Sequence, residues 1–165
     1  MTTLPQPLRQ LLENQFNLIA DANGFLLVSA EQLTEVCLFL RDDDRLFFDY
    51  LACITAIDNG PSVDSPAINT MEVIYSLTSI PYNHNLNLRV MLPRNAPGQP
   101  LPQIPTVSHI WRTADWHERE AFDLLGITFT NHPDLRRILL PEDWPGHPLR
   151  RDYQEPERYH GIINK

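Results

Sequence analysis

The middle of the chain contains two segments in which apolar and polar residues alternate, and this pattern restricts the possible fold more than any other feature. The apolar positions are Met71, Val73, Tyr75 and Leu77 in the first segment and Leu86, Leu88, Val90 and Leu92 in the second. Since successive side chains of a β-strand point to opposite faces of the sheet, both segments are predicted to be strands with one buried face. The intervening Pro81-Tyr82-Asn83 predicts that they form a hairpin.

Two amphipathic helices are predicted ahead of the hairpin. Residues 4–12 carry leucines at helical spacing, and the two prolines among them are tolerable only in the first turn of a helix. Ser29 and Gln32 form a capping box, and the apolar stripe after them predicts a second helix over about residues 30–41. The acidic run 42–44 is expected to end it.

Strands and loops account for the other residues up to position 105. A short strand is predicted at 25–28, and the aromatic and β-branched residues of 46–57 predict a longer one, although its alanines leave a helical turn possible. Residues 58–69, which include Asn59-Gly60-Pro61, are predicted to be a loop. The five prolines between 93 and 105 exclude a helix there and favour an extended segment.

A third helix is predicted over about residues 113–125, ended by Gly126 in the left-handed conformation. Its apolar face consists of Ala114, Ala121, Phe122 and Leu125. Glu118 lies in the middle of this face, and because burying a lone carboxylate is costly, Glu118 must be paired or protonated. Arg136 and Arg137 are its predicted partners, since a guanidinium can bond both carboxylate oxygens.

The opposite face of this helix is predicted to carry a ladder of ion pairs. Asp115, Arg119 and Asp123 follow one another at i,i+4 spacing, which favours a surface ladder of ion pairs. Each step of such a ladder stabilises a helix by only about 0.2–0.5 kcal/mol.

The chain after Asn131 has no apolar period, and prolines divide it into turns and extended pieces. The predicted fold class is therefore α+β, with a mixed β-sheet covered by helices in residues 1–126 and an extended, irregular C-terminal tail in residues 127–165. The tail has little core of its own, so it should lie on the preceding domain or dock on partner proteins.

Charge and apolar patterning argue against nucleic-acid and membrane-spanning functions. The formal net charge is −8, with three arginines against eleven acidic residues in 1–88 and ten basic against ten acidic residues in 89–165. A duplex binder normally presents a net basic face, so no nucleic-acid partner is expected. No apolar run approaches the roughly 18–20 residues that cross a bilayer, and no export signal is visible at the start of the sequence, so the chain is expected to stay in the cytoplasm.

Two cysteines, Cys37 and Cys53, limit the cofactors that the chain can bind. They do not form a C-x-x-C pair, and an iron-sulfur cluster usually needs four thiolates, so this chain is not expected to hold a cluster unaided. The sequence also lacks the G-x-G-x-x-G fingerprint of a dinucleotide site. Both cysteines are therefore predicted to be reduced and buried.

The most informative segment runs from Glu118 to Tyr153 and reads EREAFDLLGITFTNHPDLRRILLPEDWPGHPLRRDY. It resembles the signature of the small peripheral-arm subunit, designated C, of bacterial NADH-quinone oxidoreductase (respiratory complex I). That signature is E-R-E-x-aromatic-D-x-x-G-[IV]-x-[FY]-x-x-H-P-D-L-R-R-[IL]-[LF] followed by G-x-P-L-R-[KR]-D-[YF]. Ile110-Trp111 and Ala114-Asp115-Trp116 fit the family as well, whereas the front half matches only in its succession of elements. Leu125 stands where many members have Phe, and Arg151 where many have Lys.

The resemblance implies a non-catalytic peripheral-arm subunit whose tail wraps the quinone-site subunit, designated D, near subunits B and I, which carry iron-sulfur clusters. It implies no cofactor in this chain, with FMN and iron-sulfur clusters in the assembled complex and with NADH and quinone bound by other subunits. Such an assembly oxidises NADH, reduces a quinone and translocates protons. It lies on the cytoplasmic side of the cell inner membrane, which this chain would meet only through its partners.

The signature also supplies the candidate site residues. Those expected to form the partner interface are Glu118, Arg119, Glu120, Asp123, Gly126, His132, Pro133, Asp134, Arg136, Arg137, Trp144, Pro148, Arg150, Arg151 and Asp152. Large aromatic side chains dominate cores and interfaces, so Trp111, Trp116 and Trp144 are expected to be anchors of one kind or the other. No catalytic, cofactor-binding or metal-binding residue is expected.

Other functions stay open as alternatives. A ferredoxin-using or hydrogenase-type relative of the complex would contain an equivalent subunit, and an adaptor unrelated to respiration is a further possibility. A free-standing metal-dependent enzyme would use His132, His147 and His160 with nearby acidic residues, but their spacing fits no helix-borne ligand pair. General acid–base chemistry at Glu118 and Asp123 is disfavoured because the two lie on different helix faces.

Overall fold

The computed structural model describes residues 2–60, 69–96 and 98–163. Within these ranges the helices are α1 (Gln6–Phe16), α2 (Leu33–Asp42) and α3 (Ala114–Leu125). The strands are β1 (Thr2–Thr3), β2 (Ile19–Ala20), β3 (Leu26–Leu27), β4 (Tyr50–Asp58), β5 (Thr70–Ser79), β6 (His84–Pro93), β7 (Gln103–Pro105), β8 (Thr128–Thr130), β9 (Arg158–Tyr159) and β10 (Ile162–Ile163). None of these helices combines the length and apolarity that crossing a membrane requires.

A mixed sheet forms the centre of the fold and confirms the predicted α+β class. Of the strands in the described residues, five are ordered β2-β3-β6-β5-β4, and β1 pairs with β6 as a sixth. β1 and β3 run parallel to β6, whereas β5 is antiparallel to both of its neighbours. The predicted hairpin is confirmed, since β5 and β6 pair from Thr70 opposite Pro93 to Ser79 opposite His84. Asn83 takes the left-handed conformation in its turn (φ 56°).

One hydrophobic core joins the sheet to the three helices. The alternating apolar positions of β5 and β6 are buried together with apolar residues of α1, α2 and α3. The core also continues past the predicted domain boundary at residue 126, because Ile127 and Phe129 are buried in it. β8 pairs in parallel with β7 of the proline-rich segment, and this pairing holds the start of the tail inside the domain.

Some local predictions need adjustment. The second helix begins at Leu33 and not near residue 30, because the Gln32 N–H bonds to Ser29 O (3.2 Å) in a three-residue turn and Val36 N–H to Gln32 O (3.0 Å) opens the helix. The ambiguous segment 46–57 is a strand only from Tyr50 onward, and its Cys53 is half-buried rather than buried. Residues 61–68 of the predicted loop and position 97 of the proline-rich segment lie outside the described residues.

Candidate functional site: helix α3 and the C-terminal tail

Helix α3 carries four charged residues of the signature, and its sides lie in different environments. Glu118 is fully buried on the side facing the core. Arg119 and Asp123 are buried on the side covered by the tail. Trp116 and Glu120 lie on the exposed side. The core therefore covers one side of the helix, the tail covers another, and a third side is open to solvent.

Glu118 is buried as predicted, but its predicted partners are wrong. Its Oε1 accepts the backbone N–H of Val107 (2.7 Å), and its Oε2 is hydrogen-bonded to the Thr106 hydroxyl. These donors immediately follow β7, which delivers them to the core side of α3. Arg136 and Arg137 belong to the tail, which covers another side of the helix, so neither pairs with Glu118.

The Thr106 hydroxyl allows Glu118 to keep a partner whether it is ionised or protonated. Thr106 Oγ1 accepts the Ser108 N–H (3.1 Å) and lies 2.8 Å from Ser108 Oγ. The single hydroxyl proton of Thr106 can therefore be donated to an ionised Glu118 or, when Glu118 is the donor, to Ser108. The pKa of Glu118 is raised to about 7, because the effect of burial exceeds the opposite effect of the hydrogen bonds from Thr106 and Val107.

The surroundings of Glu118 strengthen its preference for the neutral form. Cys37 and Tyr75 are fully buried. Burial is the main cause that raises the pKa of each, and the nearby Glu118 carboxylate is a further cause. The nearby Asp115 carboxylate also contributes to the raised pKa of Glu118. Burial and, to a smaller extent, the Asp115 carboxylate therefore disfavour an ionised Glu118, which in turn favours the protonated Cys37 thiol and Tyr75 hydroxyl.

Asp123 is fully buried, so the predicted exposed ladder is wrong at this residue. Its Oδ1 accepts Arg137 Nη1 (2.8 Å), and its Oδ2 accepts three consecutive backbone N–H groups. Those donors are Ile138 (3.0 Å), Leu139 (2.8 Å) and Leu140 (3.0 Å). Burial raises the pKa of Asp123, but the backbone donors and the Arg137 guanidinium outweigh it, and the pKa lies below its usual value. Asp123 is thus an ionised anchor for the tail.

The tail also supplies hydrogen bonds to the C-terminal carbonyls of α3, which have no partner inside the helix. The bonds are His147 Nδ1 to Asp123 O (2.9 Å), Leu149 N–H to Leu124 O (3.0 Å), Arg150 Nε to Leu125 O (2.7 Å) and Arg150 Nη2 to Gly126 O (3.1 Å). A guanidinium at this end also complements the negative end of the helix dipole. Burial, with the charges of Arg150 and Arg137, lowers the pKa of His147.

Gly126 is required at the end of α3 for two reasons. Its φ of 67° belongs to the left-handed region, as predicted, and its N–H donates to Phe122 O (2.9 Å). A Cβ at this position would lie 2.5 Å from two atoms of the His147 ring. The missing side chain therefore lets the tail lie directly on the helix end.

A second anchor ties the tail to the sheet. Asp58 at the end of β4 accepts Arg94 Nε (2.9 Å) with one oxygen and the Arg151 N–H (3.0 Å) with the other. Arg94 also pairs with Asp152. The side chains of Asp58 and Arg94 are almost fully buried. Arg151 thus contacts the end of the chain's own β4, and Asp152 contacts Arg94, which directly follows β6.

The rest of the predicted ladder is replaced by contacts with the tail. Arg119 donates to Arg136 O (3.2 Å), lies 3.9 Å from Asp134, and stacks over the Trp116 ring (5.2 Å to the centroid). Among the ion pairs of the described residues, Arg119 pairs with neither Asp115 nor Asp123. The ladder was predicted for a bare helix surface, whereas a second segment of chain covers this one.

The tail histidines that were considered as metal ligands serve as local hydrogen-bonding groups. His132 Nδ1 accepts the Asp134 N–H (3.0 Å), which leaves the ring proton on Nε2, 3.2 Å from Asp115 O. His160 Nε2 lies 2.8 Å from Asp143 Oδ2. Across the described part of the chain, no three His, Cys, Asp or Glu side chains are grouped to hold a metal ion.

The three tryptophans occupy different environments. Trp111 is a core anchor whose Nε1–H donates to Phe48 O (2.9 Å). Trp144 is half-buried within the tail, where it donates to Tyr153 Oη (3.0 Å). Trp116 is 64% exposed.

Several remaining tail residues point away from the domain. Pro133 is exposed and Pro148 is half-buried. Leu139 is 60% exposed although its N–H is bound to Asp123, and the Arg136 side chain is 72% exposed. The tail is therefore fixed by its inner groups and carries apolar and cationic side chains outward.

The sequence did not predict which residues bond to the signature's polar side chains and tail. Thr106 and Val107 follow a proline-rich stretch without any period. Asp58 ends β4, and Arg94 directly follows β6, 36 positions later. An acidic residue directly after the uncharged segment 50–57, as at Asp58, was the available signal for a partner elsewhere in the chain.

Comparison with known proteins identifies the family to which the chain is similar. The family model described as "Respiratory-chain NADH dehydrogenase, 30 Kd subunit" matches residues 26–159. The corresponding NADH-quinone oxidoreductase subunit of Chloroherpeton thalassium is 42% identical over 139 residues, covering 84% of this chain and 53% of that protein. Its counterpart in Chlorobium phaeobacteroides is 41% identical over 139 residues, covering 84% of this chain and 77% of that protein. The match thus spans about half of the first relative and most of the second.

A similar fold occurs in a solved respiratory assembly. A chain from the structure of the membrane-bound sulfane sulfur reductase, an archaeal respiratory membrane complex, superposes with a TM-score of 0.70 at 20% identity. The superposition covers 90% of this chain and 84% of that one. At this identity the likeness shows the fold alone.

We predict that Asp123→Ala lowers the free energy of unfolding by about 3–5 kcal/mol, because it removes the buried carboxylate that pairs with Arg137 and accepts three backbone N–H bonds. Urea unfolding monitored by circular dichroism measures the change. Glu120→Ala, an exposed substitution on the same helix, is the control and should change stability by less than about 0.5 kcal/mol. Equal effects of the two substitutions would contradict the anchoring role of Asp123.

We also predict a pH-dependent stability difference between the wild-type chain and Glu118→Gln. The pKa of Glu118 is about 7 in the folded chain, above its ordinary value of 4.5, so folding favours the neutral carboxyl. This stabilisation is fully present below pH 4.5 and is lost as pH rises through 7. Between pH 5 and 8 the wild-type unfolding free energy should therefore fall relative to that of the variant, by on the order of 1–3 kcal/mol. Parallel pH profiles of the two proteins would rule out a titrating Glu118.

Proposed function

The chain belongs to the family of the 30 kDa subunit of respiratory-chain NADH dehydrogenase, and we propose that it is a non-catalytic peripheral-arm subunit of NADH-quinone oxidoreductase. In this role it supports the assembly of the quinone-site and iron-sulfur subunits, and electrons pass from NADH to quinone through those neighbours. The whole complex, not this chain, carries the oxidoreductase activity and translocates protons.

One observation carries the proposed docking role. The C-terminal tail is held by polar contacts along its inner side, while Leu139 and Arg136 point outward from it. Trp116 lies exposed on the neighbouring helix α3. Aromatic and Arg side chains dominate binding energies at protein interfaces, and a tail that is already ordered loses little conformational entropy on docking. The proposed partners are the quinone-site subunit and the two iron-sulfur subunits beside it, that is, subunits D, B and I.

The proposed cofactors of the assembly, FMN and iron-sulfur clusters, belong to other subunits. The only cysteines are Cys37, buried on α2, and Cys53 on β4, so this chain offers two thiols on separate elements. Four thiolates are usual for a cluster. NADH is favoured over ferredoxin as the electron donor because the curated relatives at about 40% identity are named NADH-quinone oxidoreductase.

The proposed location is the cytoplasmic side of the cell inner membrane, reached through partner subunits. The alternative of a free-standing metal-dependent enzyme has no support in the geometry, since His132, His147 and His160 each bond to a separate protein group.

We predict that Leu139→Asp lowers incorporation of the chain into the complex while the isolated chain stays folded, because an outward carboxylate would be desolvated at the docked interface. Removing the whole tail would be a poorer test, since Asp123 and the end of α3 would lose their partners as well. Ile80→Asp is a matched control, because Ile80 is also 60% exposed but lies in the β5–β6 turn. Co-purification of the quinone-site subunit and NADH-quinone turnover of the membranes are the readouts. Full incorporation and turnover of Leu139→Asp would refute docking through this surface.

A further inference from the structure

Strand β4 lies at one edge of the main sheet, and its sequence does not protect that edge. The sheet order leaves β4 with β5 as its one partner strand in the described residues. Residues 50–57 contain no charged residue and no proline, which are common protections against pairing with another chain. A bulge between Leu51 and Cys53 interrupts the first part of the strand, and the part beyond it is regular.

The register shows which backbone groups of β4 point outward. The Asn59 N–H donates to Thr70 O (3.1 Å), so residues at two-residue intervals before Asn59 turn their N–H and C=O groups toward β5. The alternate residues Ile54 and Ala56 turn theirs away from the sheet. Among the described residues, these outward groups have no backbone partner.

A groove of about 230 Å³ separates this edge from α3. Four consecutive residues, Cys53–Ala56, line one wall. Since alternate side chains of a strand point to opposite faces, four consecutive residues can share a wall only through the backbone edge. The opposite wall is apolar, formed by Ala121 and Leu124 of α3 and by Leu149 of the tail. His117, Glu120 and Leu125 complete the lining.

Both ends of the open edge are closed by the chain itself. At one end, the Thr113 hydroxyl donates to Leu51 O (3.2 Å). At the other end, Arg151 donates to the Asp58 carboxylate and, through Nη1, to Asn59 O (3.3 Å). The open edge between these ends offers the N–H and C=O groups of Ile54 and Ala56, which are two donors and two acceptors.

We propose that this groove, the β4 edge groove, binds an extended segment of a partner subunit that adds one strand to the sheet beside β4. The outward groups of Ile54 and Ala56 would pair with the backbone of that segment. Every second side chain of the segment would be apolar and face Ala121 and Leu124. A basic side chain would pair with Glu120, which has no ion-pair partner among the described residues. The inference rests on the proposed function, which supplies the partner, but concerns a surface other than the outer face of the tail.

A second copy of this chain fits the groove less well. Symmetric pairing of two β4 edges would bring two α3 helices and two Glu120 carboxylates toward each other. Each chain also has a formal net charge of −8. Like charges opposed across an interface disfavour such a dimer, whereas a basic strand from a different subunit is attracted.

Hydrogen exchange of the β4 amides tests the added strand directly. In the purified chain, the Ile54 and Ala56 amides should exchange fast while those of Thr55 and Ile57, bonded to β5, exchange slowly. In the complex isolated through a tag on this chain, all four should exchange slowly. Fast exchange at Ile54 and Ala56 in the intact complex would overturn the proposal. Protection in the purified chain alone, accompanied by a dimer in sedimentation, would assign the edge to a second copy and overturn it as well.

Two substitutions test the same groove by assembly. Ala56→Pro removes an outward N–H without removing a bond to β5, and Glu120→Lys reverses the charge at the groove. Each should reduce the recovery of partner subunits by about tenfold, with slow exchange at Thr55 and Ile57 showing that the chain is folded. Glu31→Lys, an exposed reversal outside the groove, should assemble normally.

The outcomes separate this proposal from the proposed function. If the wild-type chain assembles and both groove variants assemble equally well, the added strand is wrong and the proposed function stands. If the wild-type chain recovers no respiratory subunit at all, both are overturned.

Discussion

The Asp123 carboxylate is fully buried in the side of helix α3, where it accepts one guanidinium bond and three consecutive backbone N–H bonds. An ionised carboxylate at such a place is stable only with these donors, and all of them come from the C-terminal tail. Arg137 extends the anchor, because its Nη2 also donates to the carbonyls of Trp144 (3.1 Å) and Gly146 (3.0 Å). The path of the tail from residue 137 to 146 therefore depends on this one acid.

Two carboxylates of the same helix show how the donors decide the charge state. Glu118 receives one backbone N–H and one hydroxyl, and burial raises its pKa to about 7. Asp123 receives three backbone N–H groups and a guanidinium, and these outweigh burial and lower its pKa. Glu118 therefore joins the core as a carboxyl whose neutral form is favoured by burial, whereas Asp123 fixes the tail as an anion. Together they hold α3 between the sheet and the tail.

The sequence predicted the features that depend on local pattern. The alternation of residues 71–92 was sufficient for the hairpin, and Gly126 was sufficient for the end of α3. The partners of Glu118 and the burial of Asp123 were not predictable in this way, because a helical wheel assumes one buried face and one exposed face. Here a tail without any apolar repeat covers a second face of the helix. It bonds to Asp123 through backbone N–H groups, which every residue except proline has, so the amino-acid sequence does not reveal them. The motif from Glu118 to Tyr153 indicated the family correctly, but not that most of its polar residues contact this chain's own helix and sheet.

These contacts explain how a tail without a core of its own can serve as the proposed docking element. The α3 helix and the Asp58 anchor order it within the isolated chain, so its outward side chains are presented in a fixed arrangement. The most direct test is hydrogen exchange at the amides of Ile138, Leu139 and Leu140 in the isolated chain at neutral pH. If Asp123 holds the tail before assembly, these three amides exchange much more slowly than those of an unstructured peptide of the same sequence. Exchange at the unstructured rate would show that the tail becomes ordered only on its partners, and would contradict the account.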